Sequence, residues 1–289
     1  MKTVTSVSGG QSSAYIAANY PADFLVFALV CIDCPPAAPK DKKLVQIVSD
    51  RIGKEFVATA EDDVILHTML DLEQYLGQCI DWVTGPSFDE IIDAPHNNVL
   101  PSALRRYCTA EMKMAPIFQW WRNHCNIAEG EPVNMQIGFR AGEEARAKRT
   151  LEKCNDDGLL EERHIVGQHT NGNNKWAETP WQKPSFPMID NNVYRDQVVQ
   201  YWKGKPVRFA ERNNCVGCFH RNPLMIRQQF DQFPEKMEWF ASKERNRKYA
   251  GDRFLINAGM TYDQIKKHKL QAQIDFDDWS ECDSGHCGL

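Results

Sequence analysis

The residues that most constrain this chain are Phe24 to Ile32, an unbroken apolar run of Phe-Leu-Val-Phe-Ala-Leu-Val-Cys-Ile. A strand with one wet face alternates apolar and polar residues. A run without alternation marks a strand buried on both faces, which requires cover on both sides. The flanking sequence supplies candidates for that cover. Residues 2–7, rich in Thr and Val, read as a preceding strand, Ser8-Gly9-Gly10-Gln11-Ser12-Ser13 as a turn, and Ala14 to Asn19 as the start of a helix. Leu44, Ile47, Val48 and Ile52 have helical spacing in a segment that stops at Gly53. Glu55 to Thr59 reads as a short third strand and Val133 to Phe139 as a further one. Strand and helix in alternation predict an α/β fold, a doubly wound, mostly parallel sheet with helices on both faces. From about residue 206 the strand signals fade and helical patterns dominate, at Leu224 to Phe233 and Glu235 to Arg247. A boundary near 205 is therefore expected, between a first domain, 1–205, and a helical Cys-containing region, 206–289, that ends in a flexible tail.

Composition narrows the function classes. The net charge of −5 argues against a generic polyanion-coating protein while leaving room for a local basic groove. No stretch approaches the ~20 apolar residues of a membrane span, and Met1 to Val7 lacks the apolar core of a secretion signal. The expected location is the cytoplasm, with no membrane partner. In that reducing compartment the ten cysteines read as metal ligands or catalytic thiols before they read as disulfides. Cys79, Cys125 and Cys154 stand alone and suit packing roles. Cys31/Cys34, Cys215/Cys218 and Cys282/Cys287 are paired in sequence.

The chemistry begins at the Ser8–Ser13 turn. After a buried strand, two glycines let backbone N–H groups approach a phosphate, the following helix N-terminus adds partial positive charge, and three serines supply hydroxyls. No Gly-Lys-Ser/Thr follows, so the Walker pattern is absent. Arg140 follows another strand, where a guanidinium grips a phosphate or sulfate bidentately. Glu143 and Glu144 stand ready to hold Arg140 or a Mg ion. Arg146, Lys148 and Arg149 are either a solvated helix face or a contact for a polyanion. Cys215-Val216-Gly217-Cys218 is a tight CxxC whose glycine permits a turn presenting both thiolates to one metal. It lies too late in the chain, in a helical region, for a thioredoxin-like site. Zinc with His220 as a further ligand is one reading of it.

Four elements, in order and spanning about 200 residues, resemble the PAPS reductase-like family of the PP-loop adenine-nucleotide alpha-hydrolase-like superfamily. They are Ser8 to Ser13; Arg105-Arg106-Tyr107-Cys108-Thr109 with Lys113 and Pro116-Ile117; Ile137-Gly138-Phe139-Arg140-Ala141-Gly142-Glu143-Glu144; and Pro187-Met188-Ile189 followed by Val193 to Trp202. The superfamily holds PAPS and APS reductases and ATP pyrophosphatases that thiolate nucleic acids. The resemblance implies that 1–205 binds an adenine nucleotide (PAPS, APS or ATP) through Ser8, Gly9, Gly10, Gln11, Ser12, Ser13, Arg140 and Glu143. Asp33, in Cys31-Ile32-Asp33-Cys34, takes the place of the family's Asp-Thr-Gly near the adenosine. It further implies a [4Fe–4S] cluster on Cys108, Cys215 and Cys218, with zinc as the alternative.

Ser280-Glu281-Cys282-Asp283-Ser284-Gly285-His286-Cys287-Gly288-Leu289 is similar to the family's Glu-Cys-Gly-x-His tail, with Asp283-Ser284 intruding. This implies that Cys282 is the catalytic thiol, with Arg140 holding the anion and Cys287 available to resolve the intermediate or join the metal. The leading expectation is an oxidoreductase or sulfurtransferase that reduces PAPS or APS with a thiol donor such as thioredoxin, or accepts sulfur from another donor. Ser12 replaces the Asp that ATP pyrophosphatases usually carry. The rival is nonetheless a Mg-dependent ATP pyrophosphatase that adenylates and thiolates a nucleic acid or other acceptor. It would use Arg245, Arg247, Lys248, Lys266, Lys267 and Lys269 as the nucleic-acid surface. A third reading is a non-catalytic nucleotide-binding module with a structural zinc. The residues leave the oligomeric state open, a homodimer included.

Overall fold

A computed structural model describes residues 1–269 of the chain, apart from Ala94 and Cys125. In chain order its elements are β1 (Thr3–Val7), α1 (Gln11–Asn19), β2 (Phe24–Leu29), β3 (Cys31–Ile32), α2 (Lys42–Ile52), β4 (Ala58–Thr59), α3 (Val64–Leu76) and β5 (Ile80–Thr84). Then come α4 (Phe88–Asp93), α5 (Tyr107–Thr109), α6 (Ala115–Asn123), β6 (Val133–Gln136), α7 (Glu144–Leu151), β7 (Leu160–Gln168) and β8 (Asn174–Ser185). The chain continues through α8 (Pro187–Asp190), α9 (Arg195–Trp202), α10 (Pro223–Gln232), α11 (Pro234–Arg245) and α12 (Tyr262–Lys266). A π-helical turn, Ala110–Met114, joins α5 to α6.

The fold is α/β. Six strands form one sheet in the order β5-β2-β1-β6-β8-β7, parallel except for the β7–β8 hairpin. The apolar run behaves as its lack of alternation requires. Leu25, Phe27 and Leu29 enter a core with Ile16 of α1, Ile65 and Met69 of α3 and Trp202 of α9. Val26 and Ala28, pointing the other way, enter a second core with Phe118 and Trp121 of α6. Each Leu or Phe so enclosed contributes about 1.5–3 kcal/mol. Asp41 caps α2 by accepting from the Lys43 and Leu44 N–H groups, and Gly53 closes that helix in the left-handed region.

The expected strands run shorter in the structure. The main strand stops at Leu29, and Cys31–Ile32 turns off to pair antiparallel with Ala58–Thr59. Val133–Phe139 leaves the ladder after Gln136, where the Phe139 N–H turns back to the Ile137 carbonyl at 2.8 Å.

A third core seats the C-terminal helices on the carboxyl edge of the sheet. Val30, Ile32, Ala58 and Ala60 pack there with Val216, Ile226, Met237, Phe240, Phe254 and Tyr262. The Val216 N–H donates to the Ala60 carbonyl at 2.9 Å. Buried Glu244 accepts from the Phe254 and Tyr262 N–H groups, and the Tyr262 hydroxyl donates to the Gly217 carbonyl at 2.5 Å. These bonds fix the CxxC turn against the strand edge. Among the described residues no helix is long and apolar enough to cross a membrane.

Candidate functional site

The strand order reverses between β1 and β6. The chain runs outward from β1 to β2 and β5, then returns to the other side of β1 at β6. In open α/β sheets the crevice beyond the strand carboxyl ends at such a reversal is where ligands bind. Ser8–Gly10 leaves β1 at that crevice, and Ile137–Arg140 leaves β6 beside it.

The Ser8–Ser13 loop is held by its own hydroxyls. The Ser8 N–H donates to Ser13 Oγ at 3.0 Å, the two Oγ atoms lie 3.2 Å apart, and Ser13 Oγ donates to the Gly10 carbonyl at 3.1 Å. Trp202 Nε1 donates to the Gln11 carbonyl at 3.0 Å and ties the loop to α9. Gly9 is required twice over: its φ is +79°, and a Cβ there would lie 2.6 Å from Ile65 Cγ2. Gly10 precedes α1 with no side-chain cap, and the first turn carries no acidic residue. Ser12 Oγ is buried without a hydrogen-bond partner. The helix entrance thus presents N–H groups and a hydroxyl suited to an anion.

Arg140 is oriented by Glu143. Glu143 Oε2 accepts from the Arg140 backbone N–H at 2.9 Å and from Nε at 3.1 Å, while Oε1 pairs with Arg146. Arg146 also lies over the Phe139 ring, 4.3 Å from its centroid. Glu144 instead accepts from the Gly142 N–H at 2.8 Å. Both carboxylates are thus engaged in shaping the Arg140 turn. Asp33 is similarly engaged: its carboxylate accepts from Ser87 Oγ at 2.5 Å, and its N–H donates to Asp89 at 2.7 Å.

The three cysteines singled out in sequence converge. Cys108, Cys215 and Cys218 line one cavity of about 550 Å³ of empty space, part of it open to solvent, walled by Val30, Phe88, Met112, Phe240 and Phe254. Lys113 and His220 share its lining. Burial, and then the neighbouring Cys218, push the Cys108 thiol up to about 12. Burial drives Cys215 well above the ordinary thiol range, with Glu61 adding to the effect. Both are neutral thiols at physiological pH and must shed protons to ligate a metal. His220, partly exposed at the rim, is held down to about 4 by desolvation first and by the charge of Arg106 second, so its imidazole is neutral.

Under the cavity lies a buried ion pair. Lys113 Nζ meets Glu61 Oε1 at 2.9 Å, with Glu61 only 1% exposed and its Oε2 atom lacking a partner. Burial works against the Lys113 charge, but the Glu61 carboxylate outweighs it and holds the amine above its ordinary range. Among the described residues no group of three or more His, Cys, Asp or Glu side chains is disposed to hold a single metal ion.

The structure therefore brings the metal candidates together, and sets the phosphate candidates at the neighbouring β1/β6 crevice. The Ser8–Ser13 loop and Arg140 do not line the cysteine cavity. Cys282 and Cys287 lie outside the described residues. Cys31 is a buried free thiol beside Thr84 Oγ1 at 3.4 Å, and Cys34 is also free. Sequence reading missed Glu61 and Lys236. Lys236 is buried and donates to the Glu61 carbonyl and to Asp63. The signal was faint: a Glu-Asp-Asp run, 61–63, after the short third strand. A comparison of the chain with protein-family models, curated proteins and solved structures finds no match.

Proposed function

We propose that this protein is a PAPS/APS reductase-like enzyme that binds an adenine nucleotide in the β1/β6 crevice and performs sulfur chemistry beside the three-cysteine cavity. The observation that carries the reading is the meeting of Cys108 with Cys215 and Cys218 across a hundred residues of sequence, at the same strand edge as the Ser8–Ser13 loop. The strand reversal and the two buried faces of β2 support a doubly wound sheet of the kind the resemblance implies.

Three cysteines lining one cavity make a donor set for an iron–sulfur cluster, with zinc as the alternative. A cluster carries its thiolates on separate irons, so its cysteines stand around a volume rather than at one point. Cys108, Cys215 and Cys218 would hold it, leaving one iron open for a further ligand. When bound, such a cluster supplies redox and sulfur-binding capacity. The chain's own residues do the rest. Ser8–Ser13 holds the nucleotide phosphates, Arg140, braced by Glu143, grips the sulfate or phosphate, and Lys113 offsets thiolate charge.

In the strict reductase form the Cys282 thiolate attacks the sulfonate sulfur. The S–O bond to the nucleotide breaks, and adenosine 3′,5′-bisphosphate (from PAPS) or AMP (from APS) departs with the electron pair. An external dithiol then reduces the enzyme thiosulfonate, releasing sulfite and becoming a disulfide. Of the six late basic residues that the rival would use, Arg245 pairs with Glu238 and Asp263, and Lys266 with Glu238.

The test is turnover by anaerobically purified protein given PAPS, APS or ATP with a dithiol. Sulfite with the matching nucleotide is the expected product. AMP and pyrophosphate from ATP would instead identify the thiolating pyrophosphatase, and no turnover of any of the three would contradict enzymatic sulfur chemistry on these substrates.

A further inference from the structure

We propose that the outer face of the β7–β8 ribbon docks a second copy of this chain, ribbon against ribbon about a two-fold axis. The contact is independent of the nucleotide chemistry proposed above. β8 pairs with β6 only from Gln182 to Ser185, opposite Val133 to Gln136. Asn174 to Pro180 pairs with β7 alone, so the two strands project beyond the sheet as a ribbon. Because β6 and β8 are parallel, the ribbon leaves at the amino end of β6. It points away from the crevice at the carboxyl ends of the strands, and a contact there leaves that crevice open.

A two-stranded ribbon is marginally stable in water unless something packs on it. One face has its cover: Glu162 and His164 are half-buried, and the His164 ring lies 4.9 Å from that of Phe118 on α6. Residues opposite each other across an antiparallel ladder share one side of it. The register therefore gathers Glu161 with Pro180, Arg163 with Glu178, and Ile165 with Trp176 on the other face. All six are exposed, Ile165 and Trp176 at 48% each. The Arg163 guanidinium lies 4.9 Å from the centre of the Trp176 ring and holds it flat against the ribbon. An apolar patch left in water and rimmed by charge marks a contact surface, and Trp and Arg are its strongest anchors.

The face carries its own complement, which is what an isologous contact requires. A two-fold axis running along the ribbon lays β7 of one copy over β8 of the other, the aligned packing of two sheets. Ile165 then meets Trp176 of the other copy, and Arg163 meets Glu178, each pair occurring twice. Apolar groups cover apolar groups and opposite charges face each other. The same face suits a nucleic acid poorly, since Glu161 and Glu178 flank its Arg163 and a phosphate backbone is held by clustered cations.

Sedimentation velocity of the full-length protein over a range of concentrations reads the monomer–dimer equilibrium of wild type, W176E, R163E and E178R. Wild type is expected to dimerise reversibly. Each variant should weaken the dimer at least ~10-fold, because the two-fold repeats every clash. An equimolar mixture of R163E with E178R places opposite charges at both contacts again. It should recover a mixed dimer close to wild-type strength, which a misfolded variant could not do. Wild type that stays monomeric at every concentration, a dimer that W176E leaves intact, or a mixture no tighter than its separate components would overturn the proposal. Monomeric wild type that binds a single-stranded oligonucleotide and loses it in W176E would give the face to a nucleic acid, and overturns the proposal equally.

Discussion

Substituting Gly217 by Ala puts the cysteine site under direct test. The sequence suggests that this glycine permits the CxxC turn through its backbone freedom. The structure gives a different reason: Gly217 has no positive φ, and a Cβ there would lie 2.5 Å from Phe240 Cδ2 and Cγ and 2.8 Å from Cδ1. The ring has little room to retreat. Phe240 is 1% exposed and sits against Trp239 (4.7 Å between centroids), Phe254 (5.4 Å) and Phe88 (6.0 Å). The turn is pinned as well, by Val216 on Ala60 and by Tyr262 on the Gly217 carbonyl. Relief by several tenths of an ångström on each side amounts to overpacking of a closed core, about 1–3 kcal/mol. Denaturant unfolding of the metal-free protein should show that loss as a lower midpoint at unchanged slope. Because the turn carries Cys215 and Cys218, metal or cluster content should fall with it. F240L, in the G217A background, opens space and should return most of the stability. A G217A protein within ~0.5 kcal/mol of wild type and fully loaded would refute the packing argument.

Further consequences follow from other contacts. G9A forces a left-handed residue to carry a side chain, about 1–2 kcal/mol, and drives it into Ile65; a lowered unfolding midpoint together with weakened AMP binding is expected. E61Q strands the Lys113 amine, whose side chain is only 17% exposed, and should cost about 3–5 kcal/mol by denaturation. The E61L/K113M double variant, which buries no charge, should recover most of that loss. Cys108, raised to about 12, is protonated at neutral pH. Its alkylation in metal-free protein, followed by peptide mass spectrometry, should keep accelerating tenfold per pH unit through pH 9 and 10, whereas a plateau near pH 8.5, the ordinary thiol value, would contradict the burial argument.

How much of this was legible in the sequence depends on how local the cause is. Phe24 to Leu29 declared itself because burial on both faces removes all alternation, and α2 because Gly53 and the 44–47–48–52 spacing are helix signals within a few residues. The departure at Val30 was not legible. It arises from pairing with Ala58–Thr59, a contact made across more than twenty residues. The β7–β8 hairpin escaped because most of its residues face solvent, so hydrophobic periodicity has little to report. In the site, the cysteines were visible as residue types with meaningful spacing. Their meeting was not, since it depends on α10–α12 docking against the strand edge. Glu61 gave almost no sign of itself, because a buried carboxylate is defined by its partner Lys113, and nothing within its own segment announces that partner.

On the proposed reading, Cys108, Cys215 and Cys218 together hold a cluster for sulfur chemistry. Iron and acid-labile sulfide quantified in anaerobically purified protein, wild type and C108S, C215S and C218S, test it most directly. Wild-type protein should carry about four irons and four sulfides per chain, as for a [4Fe–4S] centre, and each variant should lose both. Wild-type protein without iron, or a C108S variant that retains the full complement, would contradict it.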